Sequence, residues 1–573
     1  MAVRNEEVAA VFDEIADLLE IRGDNPFRVR AYRNAARTVR SLGREVADLV
    51  AAGEDLTRLP GIGQDLAGKI REIVATGTSA TLEALRRELP PGLGALLRLP
   101  GLGPKRVAAL HHELGIDSLE ALRRAAEAGR LRGLPGFGPK TEARVLEAIR
   151  ARLDTGRRFL LAEAEGWADA LVEHLRAARG VNEIVVAGSF RRRRETVGDL
   201  DILCTARDGA AVAAHFVRYE RAAEVLSQGT TRSTIVLQNG LQVDLRVVEE
   251  GSFGAALHYF TGSKAHNIAV RRMGQQRGLK INEYGVFRGA RRVAGSTEES
   301  VFRAVGLPWI PPELREDRGE IEAAQAGALP RLVRREDLRG DLHCHTRASD
   351  GRSTIEGMAE AARAAGLEYL AFTEHSRSLR VARGLDAARL RAHVEAIRRL
   401  DERLEGITLL AGIEVEILED GSLDLPDDVL AELDVVVGAV HSHFDLPRAR
   451  QTARILRAMD RPHFHILAHP SGRLLLQREP YDVDLARVIR HARERGCFLE
   501  LNANPDRLDL DDVHCRMARD EGVLVAICSD AHSSLGFANL RYGVGQARRG
   551  WLGPEHVLNT RPLEELRRLL ANG

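Results

Sequence analysis

Nine side chains of metal-binding type end seven short apolar runs in the last two fifths of the chain. They are His343 and His345 in DLHCH, Asp350 in SDG, His375 in TEH, Glu414 in GIE, His441 in AVHSH, His469 in AHP, and Asp530 and His532 in SDAH. Imidazole suits Zn²⁺ or Mn²⁺, and carboxylates shift the mixture toward harder ions. Any one of these residues alone reads as a solvated loop histidine or a satisfied core polar group. Nine at successive run ends describe a multi-metal hydrolytic centre. His343 and His345 stand two apart, so an extended strand sends both to the same side and Cys344 to the other.

A second set lies in GSFRRRRETVGDLDIL, residues 188–203. Asp199 and Asp201 share one face of a strand, and Asp244 in QVDLR offers a third carboxylate from a neighbouring strand. Three convergent carboxylates hold two Mg²⁺ or Mn²⁺ ions, the arrangement that transfer between a hydroxyl and a triphosphate needs. Gly188 and Ser189 end a strand and can offer a backbone N–H and a hydroxyl to phosphate, and Arg192 adds a forked cation. A lone Asp-x-Asp is usually a solvated turn; the Gly-Ser spacing and the later strand aspartate shift the reading to nucleotidyl transfer.

A third signal is a repeat: LPGIGQDLAGKI at 59–70, LPGLGPKRVAAL at 99–110 and LPGFGPKTEARVL at 134–146. The glycine pairs Gly61 and Gly63, Gly101 and Gly103, Gly136 and Gly138 permit a tight turn and expose backbone N–H groups at a helix start, with Lys105 and Lys140 beside two of them. That geometry grips phosphate without reading bases.

These residues need elements to carry them. From 341 onward strand patterns at 341–345, 368–374, 407–417, 434–442, 464–469, 497–502 and 523–530 alternate with helical stretches, which predicts a parallel βα barrel with its chemistry at the C-terminal strand ends. Residues 158–318 alternate helix and strand: EIVVAGS (183–189) reads as a buried strand, and TIVLQNGLQVDLRVV (234–248) as a hairpin turning at Asn239-Gly240. Residues 1–150 read as helices broken by glycine turns. Proline and mixed charge over 306–340 read as a tether.

A chain of 573 residues implies several domains. Its formal charge is zero, but residues 1–340 carry 52 Lys+Arg against 46 Asp+Glu (+6) and residues 341–573 carry 31 against 37 (−6). A basic front suits a polyanion and an acidic rear suits cations. Five scattered cysteines, no apolar run of membrane-spanning length and an acidic amphipathic N-terminus fit a reducing cytoplasm. Only five of the 83 basic residues are lysines, so Schiff-base chemistry has few candidates.

GSFRR…GDLD, followed by HYFTGSKAHN (258–267) and INEYG (281–285), resembles the family X DNA polymerases, relatives of DNA polymerase β, over residues 1–318. The nine-ligand set resembles the PHP (polymerase and histidinol phosphatase) domain. The resemblance implies a multidomain α/β chain: a helical lyase-like domain with a helix-hairpin-helix over 1–90, a fingers-type domain with two such motifs over 91–157, a nucleotidyltransferase palm with a mixed sheet over 158–258, and a thumb-type domain over 259–318. A linker over 319–340 and a (β/α)7 PHP barrel over 341–573 complete it. It implies that Asp199, Asp201 and Asp244 carry the catalytic metals, that Ser189, Arg192 and Gly198 hold the triphosphate, and that Tyr259, Phe260 and Gly262 shape the sugar pocket. Asn267 would reach the incoming nucleotide and Arg271 the template, while Lys264 stands where the family has an aspartate and Arg193 where it has a glycine. Lys69 matches the family's lyase nucleophile, and a simple phosphate contact is the competing reading. In the barrel, the resemblance puts one metal on His343, His345, Glu414 and Asp530, a second on Glu414, His441 and His469, and a third on Asp350, His375 and His532, as Zn²⁺ or Mn²⁺. Glu416, His443, His463 and His465 fall outside the motif. The implied protein is a monomeric, cytoplasmic, nucleoid-associated bacterial enzyme without membrane contact. It would fill short gaps in primer–template DNA from deoxynucleoside triphosphates and process 3′ ends by exonuclease, 3′-phosphatase or apurinic-site cleavage. A small-molecule nucleotidyltransferase fused to a histidinol-phosphatase-like enzyme is the alternative, as is a polymerase with a structural PHP domain.

Overall fold

The computed structural model describes residues 5–40, 42, 45–89, 93, 96, 102, 104–134, 137, 138, 145 and 158–571. Gly101, Gly103, Gly136 and Lys140 of the glycine repeats lie outside the described residues, and Lys105 is described only as part of a helix. The chain forms two compact units, residues 1–157 and 158–573.

The first unit is helical. Helices Asn5–Arg22, Pro26–Arg40, Val46–Ala51, Gln64–Thr76 and Ala80–Glu88 close on Phe12, Ile15, Leu19, Tyr32, Val39, Ile70 and Ile73. Helices Pro104–Leu114 and Leu119–Glu127 follow, and Ser79 and Ser118 cap the helices they precede through Leu82 N–H and Ala121 N–H. In the first glycine repeat, Gly61 turns at φ 75° and Gly63 is the extended residue from which the helix to Thr76 starts, leaving that helix's first N–H groups to the outside.

The second unit begins with β1 (Phe159–Leu160), β2 (Val181–Val186), β3 (Thr196–Val197), β4 (Asp199–Ala206), β5 (Ala222–Gln228), β6 (Arg232–Leu237) and β7 (Gln242–Val248). β1 pairs with β3, and the rest form a mixed sheet in the order β2-β4-β7-β6-β5. The predicted hairpin is β6–β7, turning with Gly240 at φ 87°. β4 and β7 run parallel with Asp201 opposite Asp244, so register alone brings the second and third carboxylates together. The 183–189 segment departs from expectation: β2 is half-exposed, because it is an edge strand with only β4 beside it. Helices Phe253–Thr261 and Lys264–Gln276 and the antiparallel strands β8 (Lys280–Asn282), β9 (Gly285–Arg288) and β10 (Arg291–Ala294) complete this half.

The barrel strands are β11 (Gly340–Asp341), β12 (Tyr369–His375), β13 (Thr408–Glu416), β14 (Val435–Ala439), β15 (Ile466–Leu467), β16 (Phe498–Asn502) and β17 (Val525–Cys528). They pair in parallel and in sequence order, and the first and last meet through a bridge between Cys344 and Ala531. Alternate residues share a face. Tyr369 and Ala371, Leu410, Val435 and Val437, Phe498, and Ala526 and Cys528 belong to one apolar cluster, and the same parity continued up each strand reaches His375, Glu414, His441, Glu500 and Asp530. Helix Leu563–Leu570 supplies Leu566 and Leu570 to that cluster.

The segment read as a tether is packed instead. Ile310, Leu314, Ile321 and Leu332 are buried in one cluster with Trp551 of the barrel, and Val333 N–H donates to Leu552 O at 2.9 Å. Its prolines break helices, but its apolar residues are spaced so that each reaches this core. Buried ions join palm and barrel too. Glu316 takes Arg192 at 3.1 Å and Arg549 at 2.9 Å, and Asp512 takes Arg549 at 2.6 Å and Arg318 at 3.0 Å. Arg193, at φ 55°, reaches Glu165 at 2.9 Å, and Glu165 also accepts from Tyr542 Oη at 2.7 Å. Removing one partner of a buried pair leaves the other's charge uncompensated. Arg549→Ala is expected to destabilise the second unit by about 3–5 kcal/mol, read as a lower midpoint in urea unfolding; an unchanged midpoint would refute the role given to this network.

Candidate metal centres

All nine residues expected to bind metal converge at the C-terminal mouth of the barrel. Glu414, 2% exposed, is the hub. Its Oε1 lies 3.0 Å from His469 Nε2 and 3.2 Å from His441 Nε2; its Oε2 lies 2.6 Å from His375 Nδ1, 3.5 Å from His343 Nε2 and 3.7 Å from His345 Nε2. Asp530 stands 3.2 Å from His345 and 3.7 Å from His343. Asp350 stands 3.5 Å from His375 and 3.4 Å from His532. Ligand atoms close enough to share an ion fall into three groups: His343, His345 and Asp530; His375, Glu414 and His441; and His345, Asp350, His375 and His532. These overlap the implied sets with three differences. His345 and His375 each bridge two groups, Glu414 joins one group rather than two, and His469 touches Glu414 without joining a group.

The donors fit metal ions. His345 Nδ1, His375 Nδ1 and Glu414 Oε2 are buried without hydrogen-bond partners among the described residues, although His375 Nδ1 and Glu414 Oε2 are 2.6 Å apart. Buried polar atoms are rarely left so. Burial would raise the Glu414 carboxyl, but His375, His441 and His343 hold it well below the usual range. Burial works against charge on His375, yet Glu414 and Asp350 hold it at about 10; His532 is held at about 9 in the same way by Asp350 and Asp530. Burial, with His375 beside it, pushes His345 down to about 4, leaving its nitrogen lone pair free to ligate. Two of the nine residues have left-handed backbone, His469 at φ 27° and Asp530 at φ 51°, strain that concentrates at functional sites.

Four carboxylates behind the ligands aim them. Glu500 lies 2.7 Å from His343 Nδ1 and accepts the His469 N–H at 2.6 Å. Glu416 lies 2.9 Å from His441 Nδ1. Glu374 accepts from Thr346 N–H at 2.9 Å and from Ser349, fixing the loop that carries Asp350. Asp341 accepts from Ser529 N–H at 3.2 Å just before Asp530. Such partners orient imidazoles and raise their basicity. Glu416 falls outside the ligand motif, yet it is the support of His441; His443 is exposed, and His465 Nδ1 accepts from Val436 N–H. Sequence reasoning missed Glu500, whose signal was its inward parity on the sixth barrel strand, FLELN.

In the palm, Asp199, Asp201 and Asp244 share one sheet face. Asp244 accepts from Thr234 Oγ1 and from Arg232 at 3.4 Å. Burial, then Asp199 and Asp244, push Asp201 up to about 7, so the trio has an excess of negative charge that hard cations would relieve. Gly188 turns at φ 64°, and a Cβ there would come within 2.8 Å of Asp201 Oδ2. Arg192 donates to Thr261 O, and a Cβ on Gly262 would meet its Nη1 at 3.1 Å. Asn267 Nδ2 donates to Tyr259 O at 2.7 Å, and Arg271 Nε to Asn267 O at 3.3 Å. Phe260 lies under the Arg246 guanidinium, Ser189 is in the short helix Gly188–Arg191, Gly198 faces Arg158, and Lys264 is exposed at the first position of its helix. In the first unit, burial lowers Lys69, but its bond to Asp65 and the nearby Tyr32 raise it above the ordinary lysine value; a Schiff-base nucleophile needs the opposite.

Five family models match: "Helix-hairpin-helix domain" at 3–79, "SAM-like Helix-hairpin-helix tandem" at 93–151, "DNA polymerase beta palm" at 161–266, "DNA polymerase beta thumb" at 256–316 and "PHP domain" at 341–504. The chain is 38% identical over 572 residues, 99% of each chain, to the DNA polymerase/3′-5′ exonuclease PolX of Bacillus subtilis (strain 168). It is 29% identical over 231 residues, 38% of this chain and 89% of the other, to a probable phosphatase of Thermoanaerobacter sp. (strain X514). It is 26% identical over 353 residues, 54% of this chain and 56% of the other, to DNA polymerase lambda of Rattus norvegicus.

Glu416→Ala is expected to weaken metal binding in the barrel about 10–100-fold, measured by competition with a chelator; unchanged affinity would mean that His441 is aimed by something else. Asp201 keeps its proton in the folded protein up to about pH 7, while the unfolded chain gives it up near 3.8. The contribution of Asp201 to the stability of the metal-free protein is therefore expected to fall as pH rises from about 4 to about 7 and to level off above. Asp201→Asn should flatten this fall and raise the unfolding midpoint at pH 8 in chelator; an unaltered pH profile would contradict the assigned shift.

Proposed function

This chain belongs to the family X DNA polymerases that carry a C-terminal PHP domain, and we propose that it extends DNA 3′ ends across short gaps with its palm and removes nucleotides from 3′ ends with its barrel. The observation that carries the reading is two separate clusters of metal-type side chains in one chain, Asp199, Asp201 and Asp244 in the sheet and the residues around Glu414 in the barrel. The glycine hairpins of the first unit grip the DNA backbone, Lys69 included as a phosphate contact. We assign Mg²⁺ or Mn²⁺ to the palm and up to three Zn²⁺ or Mn²⁺ ions to the barrel, with 3′-phosphatase and apurinic-site cleavage as further reactions of the same centre.

The palm residues divide the work. Gly188 and Ser189 present backbone N–H and hydroxyl to the triphosphate, and Arg192 neutralises it. Tyr259, Phe260 and Gly262 bound the sugar, Asn267 meets the nucleotide and Arg271 the template. The three carboxylates would hold two ions, which when bound would lower the pKa of the primer hydroxyl and offset charge on the leaving pyrophosphate. In the barrel, the imidazoles and Glu414 hold the ions that would supply an activated water. Glu416 and Glu500 keep the imidazoles aimed, and Asp350 and His532 close the side of the site nearest the first two loops.

Asp201→Ala is expected to reduce primer extension on gapped DNA by about 10²-fold or more and to spare 3′ degradation. His345→Ala should do the reverse. Labelled primer–template with Mn²⁺ reads both reactions in one gel, and loss of both reactions from either substitution would sink the two-site reading.

A further inference from the structure

Two neighbouring loops at the barrel mouth carry a cluster of exposed arginines. Arg352 lies in the loop after β11, and Arg377, Arg380 and Arg383 lie in the loop after β12; all four are exposed. Elsewhere on the barrel many exposed arginines turn to carboxylates, as Arg391 to Glu432, Arg450 to Glu419 and Arg461 to Asp427, or to backbone carbonyls, as Arg363 to Glu405 O, Arg398 to Glu432 O and Arg457 to Ala453 O. Among the described residues no carboxylate pairs with these four guanidinium groups. Four open guanidinium groups gathered on two adjoining loops form a local positive field.

The loops are built into the metal centre. Arg352 N–H donates to His532 O at 2.8 Å, and Leu385 N–H donates to His375 O at 2.7 Å. The second loop is held firmly. Ser376 bridges to Leu385, Ser378 N–H donates to Asp424 at 2.8 Å, and a Cβ on Gly384 would meet Ser376 O at 1.9 Å. The arginines are thus presented from a fixed frame beside Asp350, His375 and His532. Two apolar tips share the rim: Val381, 90% exposed between Arg380 and Arg383, and Leu535, 83% exposed, three residues after His532.

A small phosphate ester bound at the ions would need none of this. A polyanion would, because each phosphate beyond the one being cleaved needs its own counter-charge. We propose that the loops after β11 and β12 form a phosphate track, in which Arg352, Arg377, Arg380 and Arg383 grip the backbone of the DNA strand whose 3′ end enters the metal centre, while Val381 and Leu535 support its terminal base. The proposal rests on the reading of the barrel as a DNA 3′-end nuclease and names the residues that make its substrate a polymer.

The test uses the full chain with the double substitutions Arg377→Ala/Arg380→Ala and Arg377→Lys/Arg380→Lys. One substrate is a 15-nucleotide single strand; the other is thymidine 5′-(p-nitrophenyl phosphate). The alanine variant is expected to lose about tenfold in kcat/KM on the oligonucleotide, with a dependence on log salt shallower by about one to two. It should keep the small ester within about twofold, and the lysine variant should recover most of the loss, as expected for charge contacts. In the parent with chelator, amide exchange over 376–386 should slow when the oligonucleotide is added. Equal loss on both substrates, or no loss and no change in salt slope on the oligonucleotide, overturns the track. A parent that cleaves the small ester but not the oligonucleotide defeats the nuclease reading instead, and amide exchange over 376–386 then decides the track by itself.

Discussion

Glu414 sits inside a barrel, nearly without solvent, and five imidazoles approach its two oxygens. An ionised carboxylate in such a place costs several kcal/mol unless charge surrounds it. Each imidazole can supply that charge only if its strand ends at the same height as the strand bearing Glu414. The parallel register therefore has to be set by apolar residues lower in the barrel, and it is: the same strand faces that end in ligands begin in Tyr369, Leu410, Val435 and Ala526. Packing below fixes the heights, and the heights fix the charge cluster.

The palm solves the opposite electrostatic problem. It gathers three carboxylates with little compensation, and the proton held by Asp201 to about pH 7 is the sign of that imbalance. The barrel instead mixes imidazole and carboxylate until each histidine is either neutral, like His345, or paired, like His375. Hard all-oxygen sites favour Mg²⁺ and mixed nitrogen–oxygen sites favour Zn²⁺ or Mn²⁺. The two centres thus differ in donor composition, all-oxygen in the palm and nitrogen–oxygen in the barrel, even though they occur in one compact unit.

Much of this was legible in the sequence, and the limits have physical reasons. The βα period, the hairpin at Asn239-Gly240 and the run-end ligands could be read because period two and strand-end position are local patterns. Glu416 and Glu500 could not be ranked: behind a ligand, a carboxylate differs from a ligand only by where its partner's second nitrogen points, and that is a tertiary fact. The 306–340 segment misled because proline and charge dominate its composition, while the residues that matter, Ile310, Leu314, Ile321 and Leu332, are few and far apart. The glycine repeats are the reverse case. Three copies are obvious in the sequence, but only the first falls wholly within the described residues.

The packed segment and the ions around Glu316 bear on how the two chemistries coexist. Arg192, assigned to the triphosphate, shares Glu316 with Arg549, and Arg549 also donates to the Arg192 carbonyl at 2.9 Å. Arg549 is buried and is held from its other side by Asp512, which Arg318 holds in turn. No member of this chain of contacts can move alone without leaving a mostly buried charge without its partner. A free hinge between palm and barrel would require breaking several such pairs at once, a cost far above thermal energy. A DNA end passing from the extending site to the degrading site must therefore move itself across a fixed surface, and neither half of this unit swings to carry it.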